Sequence, residues 1–108
     1  MGPDTVESLY EKMDFGILDF DNTDVLYTDL LDDGSYATIT DNDGHMPETL
    51  ETEIVFSVYD DNDSFQWSVT LEDSLYFHEL YTAAESTEAL LATLQDIRQE
   101  HIELYDSL

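Results

Sequence analysis

The side chains able to do chemistry in this chain are overwhelmingly carboxylates: 27 Asp and Glu stand against 2 Lys and Arg, with 3 His and no Cys. Asp19/Asp21, Asp41/Asp43, Glu51/Glu53 and Asp61/Asp63 are each two residues apart, which on an extended chain puts both on one side, about 6.7 Å from each other. Carboxylates so placed suit acid–base work, cation binding, or the display of negative charge. Calcium can be tested on Asp41-Asn42-Asp43-Gly44. If Gly44 takes the sixth position of a twelve-residue calcium loop, Ile39 stands first and Leu50 last, where the ion needs carboxylates. The loop therefore reads as an acidic turn, and no metal is expected. His45, His78 and His101 fall on different predicted elements, and His101 lies on an apolar helical stripe, where a core or boundary role is expected. No Ser or Thr sits in a nucleophile-elbow context, and the lack of Cys removes disulfides, thiolate metal sites and thiol nucleophiles together.

Ile17-Leu18-Asp19-Phe20-Asp21-Asn22-Thr23 is an apolar run followed by Asp-x-Asp-x-Thr. It resembles the opening motif of the haloacid-dehalogenase phosphatases, and that resemblance implies Asp19 as nucleophile and Asp21 as general acid. It covers seven residues. It departs from the pattern at Asp24, where an apolar residue usually follows, and the only Lys, Lys12, lies upstream, whereas the family needs a later cation to hold phosphate. A doubly wound parallel sheet also does not fit 108 residues patterned as hairpins. The expectation is a protein with no catalytic residues and no cofactor.

The formal charge is −25, and the stretch Met13 to Ile97 carries 21 acidic residues with no Lys or Arg at all. Nucleic-acid backbones and anionic lipids are bound by Lys and Arg, so direct contact with DNA, RNA or a membrane surface is not expected. The chain is nevertheless 42% hydrophobic and 12% aromatic, with 4 Gly and 2 Pro, which gives it the means to build a core. Its 108 residues suit one domain, 1–108. No apolar run approaches eighteen residues and no basic-then-apolar leader opens the chain, so neither a membrane span nor a signal peptide is expected. A cytoplasmic protein is, that of a host cell if a phage encodes it.

Pro3 to Asp14 reads as a short helix with Val6, Leu9, Tyr10 and Met13 on one face. Phe15 to Asp24 fits either an edge strand or an acidic loop. Val25–Leu31 and Ser35–Thr40 read as strands about Asp32-Asp33-Gly34, whose Asp-Gly pair supplies the positive backbone angles of a tight hairpin. In a second hairpin, Ile54, Phe56 and Val58 alternate with smaller or polar neighbours and Phe65, Trp67, Val69 and Leu71 with polar ones, about the turn Asp60–Asp63. That alternation predicts an antiparallel sheet covered on its aromatic face. Leu75–Tyr81 is ambiguous between a fifth strand and a helical turn. Ser86 offers a cap for a long helix to about Tyr105, striped by Leu90, Leu91, Leu94, Ile97, His101 and Leu104, with Asp96, Glu100 and Glu103 on another face. The fold class expected is α+β: an antiparallel meander of four or five strands flanked by a short N-terminal and a long C-terminal helix.

Self-repulsion of so much charge destabilises a small domain, and solubility needs a net charge of only about 2 to 8. A globule of this length spans roughly 34 Å, a length of duplex holding about 20 phosphates. In size, charge and aromatic content the chain is similar to the DNA-mimic inhibitors of phages and mobile elements, among them anti-restriction proteins, uracil-DNA glycosylase inhibitors and several anti-CRISPR proteins. The likeness implies a non-enzymatic inhibitor occupying the basic site of a DNA-binding protein or nuclease, such as the motif-reading site of a CRISPR effector. The expected contact residues are Asp19, Asp21, Asp24, Asp29, Asp32, Asp33, Asp41, Asp43, Asp60, Asp61 and Asp63, because turn carboxylates protrude into a groove. Tyr27, Tyr59 and Tyr76 are candidate interface anchors. Two alternatives stand beside this reading: a small soluble domain adapted to molar salt, and an acidic chaperone or adaptor for a basic protein. The oligomeric state, a homodimer included, is left open.

Overall fold

Thr5 starts the first helix: its hydroxyl accepts from the Ser8 backbone N–H at 3.1 Å, capping α1 (Val6–Lys12). The computed structural model describes residues 5–20, 22–30 and 33–106. After α1 the chain forms β1 (Gly16–Phe20), β2 (Thr23–Asp29), β3 (Tyr36–Thr40), β4 (Ile54–Tyr59) and β5 (Phe65–Leu71), and then α2 (Ser74–Ala83) and α3 (Thr87–Asp106). The strands make one antiparallel sheet in chain order, each paired with the next. This is the α+β meander expected, with five strands.

The stretch that resembles a phosphatase motif is an antiparallel hairpin. Asp19 pairs with Asp24 and Phe20 with Thr23, so the string turns back on itself where that family needs a strand entering a parallel sheet. Residues 74–83 are helical because Asp73 accepts from the Tyr76 backbone N–H at 2.8 Å, an N-cap that resolves the strand-or-helix ambiguity. Ser86 does the same for α3, accepting from the Ala89 N–H at 3.1 Å.

All three helices cover one face of the sheet. Ala37, Ile39, Ile54, Phe56, Val58, Val69 and Leu71 point to that side, where they join Leu9 and Tyr10 of α1, Phe77 of α2 and Leu90 and Leu94 of α3 in one buried cluster. Phe77 is the hub: its ring lies 6.0 Å from Tyr10, 5.9 Å from Phe15 and 5.6 Å from Phe56. The Tyr10 hydroxyl donates to Ser74 Oγ at 2.8 Å, so this buried polar pair is satisfied, and burial pushes the Tyr10 phenol pKa well up.

The structure corrects two expectations. Alternation put Phe65 on the core face with Trp67, but the register shifts between Val58 and Tyr59, so that Val58 pairs with Trp67 and Tyr59 with Phe65. The extra residue, Gln66, is a bulge that turns Phe65 to the opposite face, where it is 57% exposed. On α3 the residues of the stripe that pack on the core end at Ile97; His101 and Leu104 are exposed, so His101 is not a core residue.

Candidate functional site

A meander puts alternate turns at opposite ends of its sheet, and the expected contact residues divide accordingly. Asp19 and Asp24 flank the β1–β2 turn, and Asp41 and Asp43 lie in the β3–β4 loop at the same end. Asp29, Asp33, Asp60, Asp61 and Asp63 gather at the other end, about the β2–β3 and β4–β5 turns. A six-residue strand separates the two groups by about 20 Å. Asp21 and Asp32 lie outside the described residues.

At the second end two turns meet. Gly34 has φ of +91°, and a Cβ built on it would lie 2.7 Å from Asp61 Cβ, so the backbone of one turn rests against the side chain of the other. Only glycine allows that approach together with that dihedral angle. The expectation of positive angles at an Asp-Gly pair thus holds at Gly34, while the Asp33 carboxylate closes the turn by accepting from the Ser35 hydroxyl at 2.6 Å and the Ser35 backbone N–H at 3.0 Å. Those two hydrogen bonds favour the charged form and lower the Asp33 pKa.

The carboxylates differ in how far they are engaged by their own turns. Asp60 Oδ1 accepts from the backbone N–H groups of Asn62 at 2.8 Å and Ser64 at 2.9 Å, and its Oδ2 from the Gln66 amide at 3.1 Å. Asp41 Oδ1 likewise accepts from the N–H groups of Asp43 and His45. Both residues build their loops. Asp43 and Asp61 are exposed, as are Asp19 and Asp24, which face each other across the hairpin. Among the described residues no carboxylate is buried.

The face of the sheet away from the helices carries a feature that the turn residues alone do not reveal. Tyr27, Tyr36, Tyr59 and Phe65 stand side by side across β2, β3, β4 and β5, with ring centroids 5.3, 5.2 and 5.9 Å apart in that order. Two hydroxyls tie the row to the acidic end: Tyr27 donates to Asp29 at 2.5 Å and Tyr36 to Asp63 at 2.8 Å. The hydrogen bond to Asp29, and more weakly burial, raises the Tyr27 pKa; burial first, and then the bond to Asp63, pushes Tyr36 up to about 12. Tyr27 and Tyr59 were anchor candidates from the sequence, and both belong to this row. Tyr76, the third, packs on the helix side against the core. Tyr36 and Phe65 were missed, although Tyr27, Tyr36 and Tyr59 do alternate out of phase with the core residues beside them.

A cleft of 960 Å³ lies between β5, α2 and α3, lined by Glu53, Leu71, Glu72, Tyr76, Ile97 and His101 among others. Glu100 lines it as well, so three carboxylates and one imidazole border the cleft, and among the described residues no three His, Cys, Asp or Glu side chains form a group able to hold a metal ion. Among the described residues no helix is long and apolar enough to cross a membrane. Comparison of the chain with protein-family models, with curated proteins and with solved structures finds no match in any of the three.

Proposed function

We propose that the protein is a non-enzymatic inhibitor that imitates DNA and occupies the basic nucleic-acid-binding site of another protein, of the nuclease or CRISPR-effector kind. The observation that carries this reading is the match of charge to length. The long axis measures 43 Å, and a duplex of that length carries about 25 phosphates; the chain carries −25. Nine of the expected contact carboxylates stand in two groups about the opposite ends of one sheet. A basic cleft that meets them gains fast, salt-sensitive association and releases the ions condensed on both surfaces.

The test is capture from a bacterial lysate at low salt. A single basic nucleic-acid-binding protein is expected to be retained, and to be released both by duplex DNA and by high salt. Replacing Asp29, Asp33, Asp61 and Asp63 together by Lys is expected to abolish capture, whereas single Asp→Ala changes at these positions weaken it only modestly. If circular dichroism shows the protein unfolded below molar salt, and nothing is retained, the acidity serves salt adaptation and the inhibitor reading is lost.

A further inference from the structure

We propose that the open face of the sheet, where Tyr27, Tyr36, Tyr59 and Phe65 run beside Asp29 and Asp63, is a seat for arginine side chains of the basic partner. This rests on the partner-binding reading above and names the chemistry of the contact. A half-covered antiparallel sheet normally turns polar residues to the open side. Here a row of aromatic rings takes that place, and a β-bulge at Gln66 brings Phe65 into it and away from the core.

Three occupants suit an aromatic sheet face, and charge decides among them. Nucleobases stack on such rows, but their phosphates need Lys or Arg beside the rings. The Tyr27 and Tyr36 hydroxyls are bonded to Asp29 and Asp63, and the chain's two basic side chains, Lys12 on α1 and Arg98 on α3, belong to helices that pack on the other face. A second copy of the chain would bring another −25 to a face already edged with carboxylates. A guanidinium fits both features at once. Its plane stacks on an aromatic ring while its N–H fork reaches a carboxylate, and a carboxylate has about four acceptor sites, so Asp29 and Asp63 retain capacity after the tyrosine bonds. Tyr36, only 7% exposed, spaces the row; the reachable rings are the half-buried Tyr27 and Tyr59 and the exposed Phe65. An ammonium carries the same charge but has no plane to stack, so the seat distinguishes arginine from lysine.

The experiment titrates the intact protein by calorimetry with octa-arginine and with octa-lysine, peptides of equal charge. Octa-arginine is expected to bind about tenfold more tightly, and to shift the ring-proton resonances of Tyr27, Tyr59 and Phe65 in the unmodified protein. The double variant Tyr59→Leu, Phe65→Leu is expected to lose the arginine preference while keeping its affinity for octa-lysine. Asp19→Asn with Asp24→Asn, at the far end, is expected to weaken both peptides alike and to leave their ratio unchanged. Equal affinities, with resonance shifts confined to the turns, overturn the arginine seat and leave the acidic contact reading standing. Failure of both peptides to bind at low salt overturns the seat and the acidic contact reading together. Self-association that depends on Tyr59 and Phe65 assigns the face to a second copy and overturns the seat as well.

Discussion

Tyr36 sits at the centre of the aromatic row, its hydroxyl bonded to Asp63 and its ring stacked on Tyr59 with planes 11° apart. Its pKa stands at about 12 in the folded protein, above the ordinary tyrosine value of about 10. The folded state therefore holds this proton more tightly than the unfolded chain does. The stability linked to it is fully present below pH about 10 and is lost as pH rises through about 12. Tyr36→Phe is expected to make the decline of stability over that interval shallower, as followed by urea denaturation at successive pH values. The decline persists in part, because Tyr10 and Tyr27 are shifted in the same direction. Identical slopes for the two proteins would remove Tyr36 from the account. Asp33 shows the opposite case, a carboxylate held charged by the Ser35 hydroxyl and N–H, and so a fixed negative point on the turn.

At the scale of elements, the acidic end depends on two hairpin turns that touch at one glycine. The β4–β5 turn closes by Asp60 N–H to Ser64 O at 3.0 Å, with Asp63 in the left-handed region at φ of 63°. Asp is among the few residues besides glycine that visit that conformation, and there the Asp63 carboxylate accepts from the Tyr36 hydroxyl of the neighbouring strand. Gly34→Ala places a Cβ against Asp61 and forces an alanine to positive φ, so it is expected to destabilise the fold by about 1–3 kcal/mol. The cost is read as a lower urea midpoint at unchanged slope. Pairing the change with Asp61→Gly is expected to recover the part due to the clash and not the part due to the dihedral angle. An unchanged midpoint in Gly34→Ala would mean that the two turns do not rest on each other. The α3 helix differs in kind: it is anchored through Leu90, Leu94 and Ile97, and beyond Ile97 its residues, His101 and Leu104 among them, are exposed.

For the whole molecule, the radius of gyration is 13.7 Å, close to the ~13 Å expected of a chain this long. Carboxylates that face each other across a hairpin, as Asp19 and Asp24 do, stand within a Debye length at physiological salt, about 8 Å. Raising salt from ~0.1 M to ~1 M shortens that length from about 10 Å to about 3 Å and relieves the repulsion. The unfolding midpoint is accordingly expected to rise by roughly 5–10 °C, a gain of one or two kcal/mol for a domain of this size. Affinity for a basic partner is expected to fall over the same interval. Thermal melts and binding titrations in one salt series test both signs together. A midpoint that falls with salt would show that self-repulsion is not the main electrostatic cost of this fold.

The elements most legible in the sequence are those whose causes are local. Ile54, Phe56 and Val58 alternate strictly, Ser86 lies one residue before the α3 helix it caps, and Asp60 reaches N–H groups only two and four residues on. Net charge needs no fold at all, since it is a sum over residues, and with it came the expectation of a basic partner and of acidic turns. Distant contacts decided the rest. Residues 74–83 take their cap from Asp73 close by, but the seat of that helix on the sheet is set by distant contacts of Phe77 with Tyr10 of α1 and Phe56 of β4. A single inserted residue, Gln66, moved Phe65 to the far side of the sheet, and no periodicity within β5 marks where a partner strand slips. The aromatic row runs from Tyr27 to Phe65 and Gly34 meets Asp61, residues of different hairpins brought together by strand pairing. Composition and period thus determine how much charge the protein carries and which stretches become strands and helices. Only the paired sheet determines which side chains stand next to one another, because adjacency across strands is set by register.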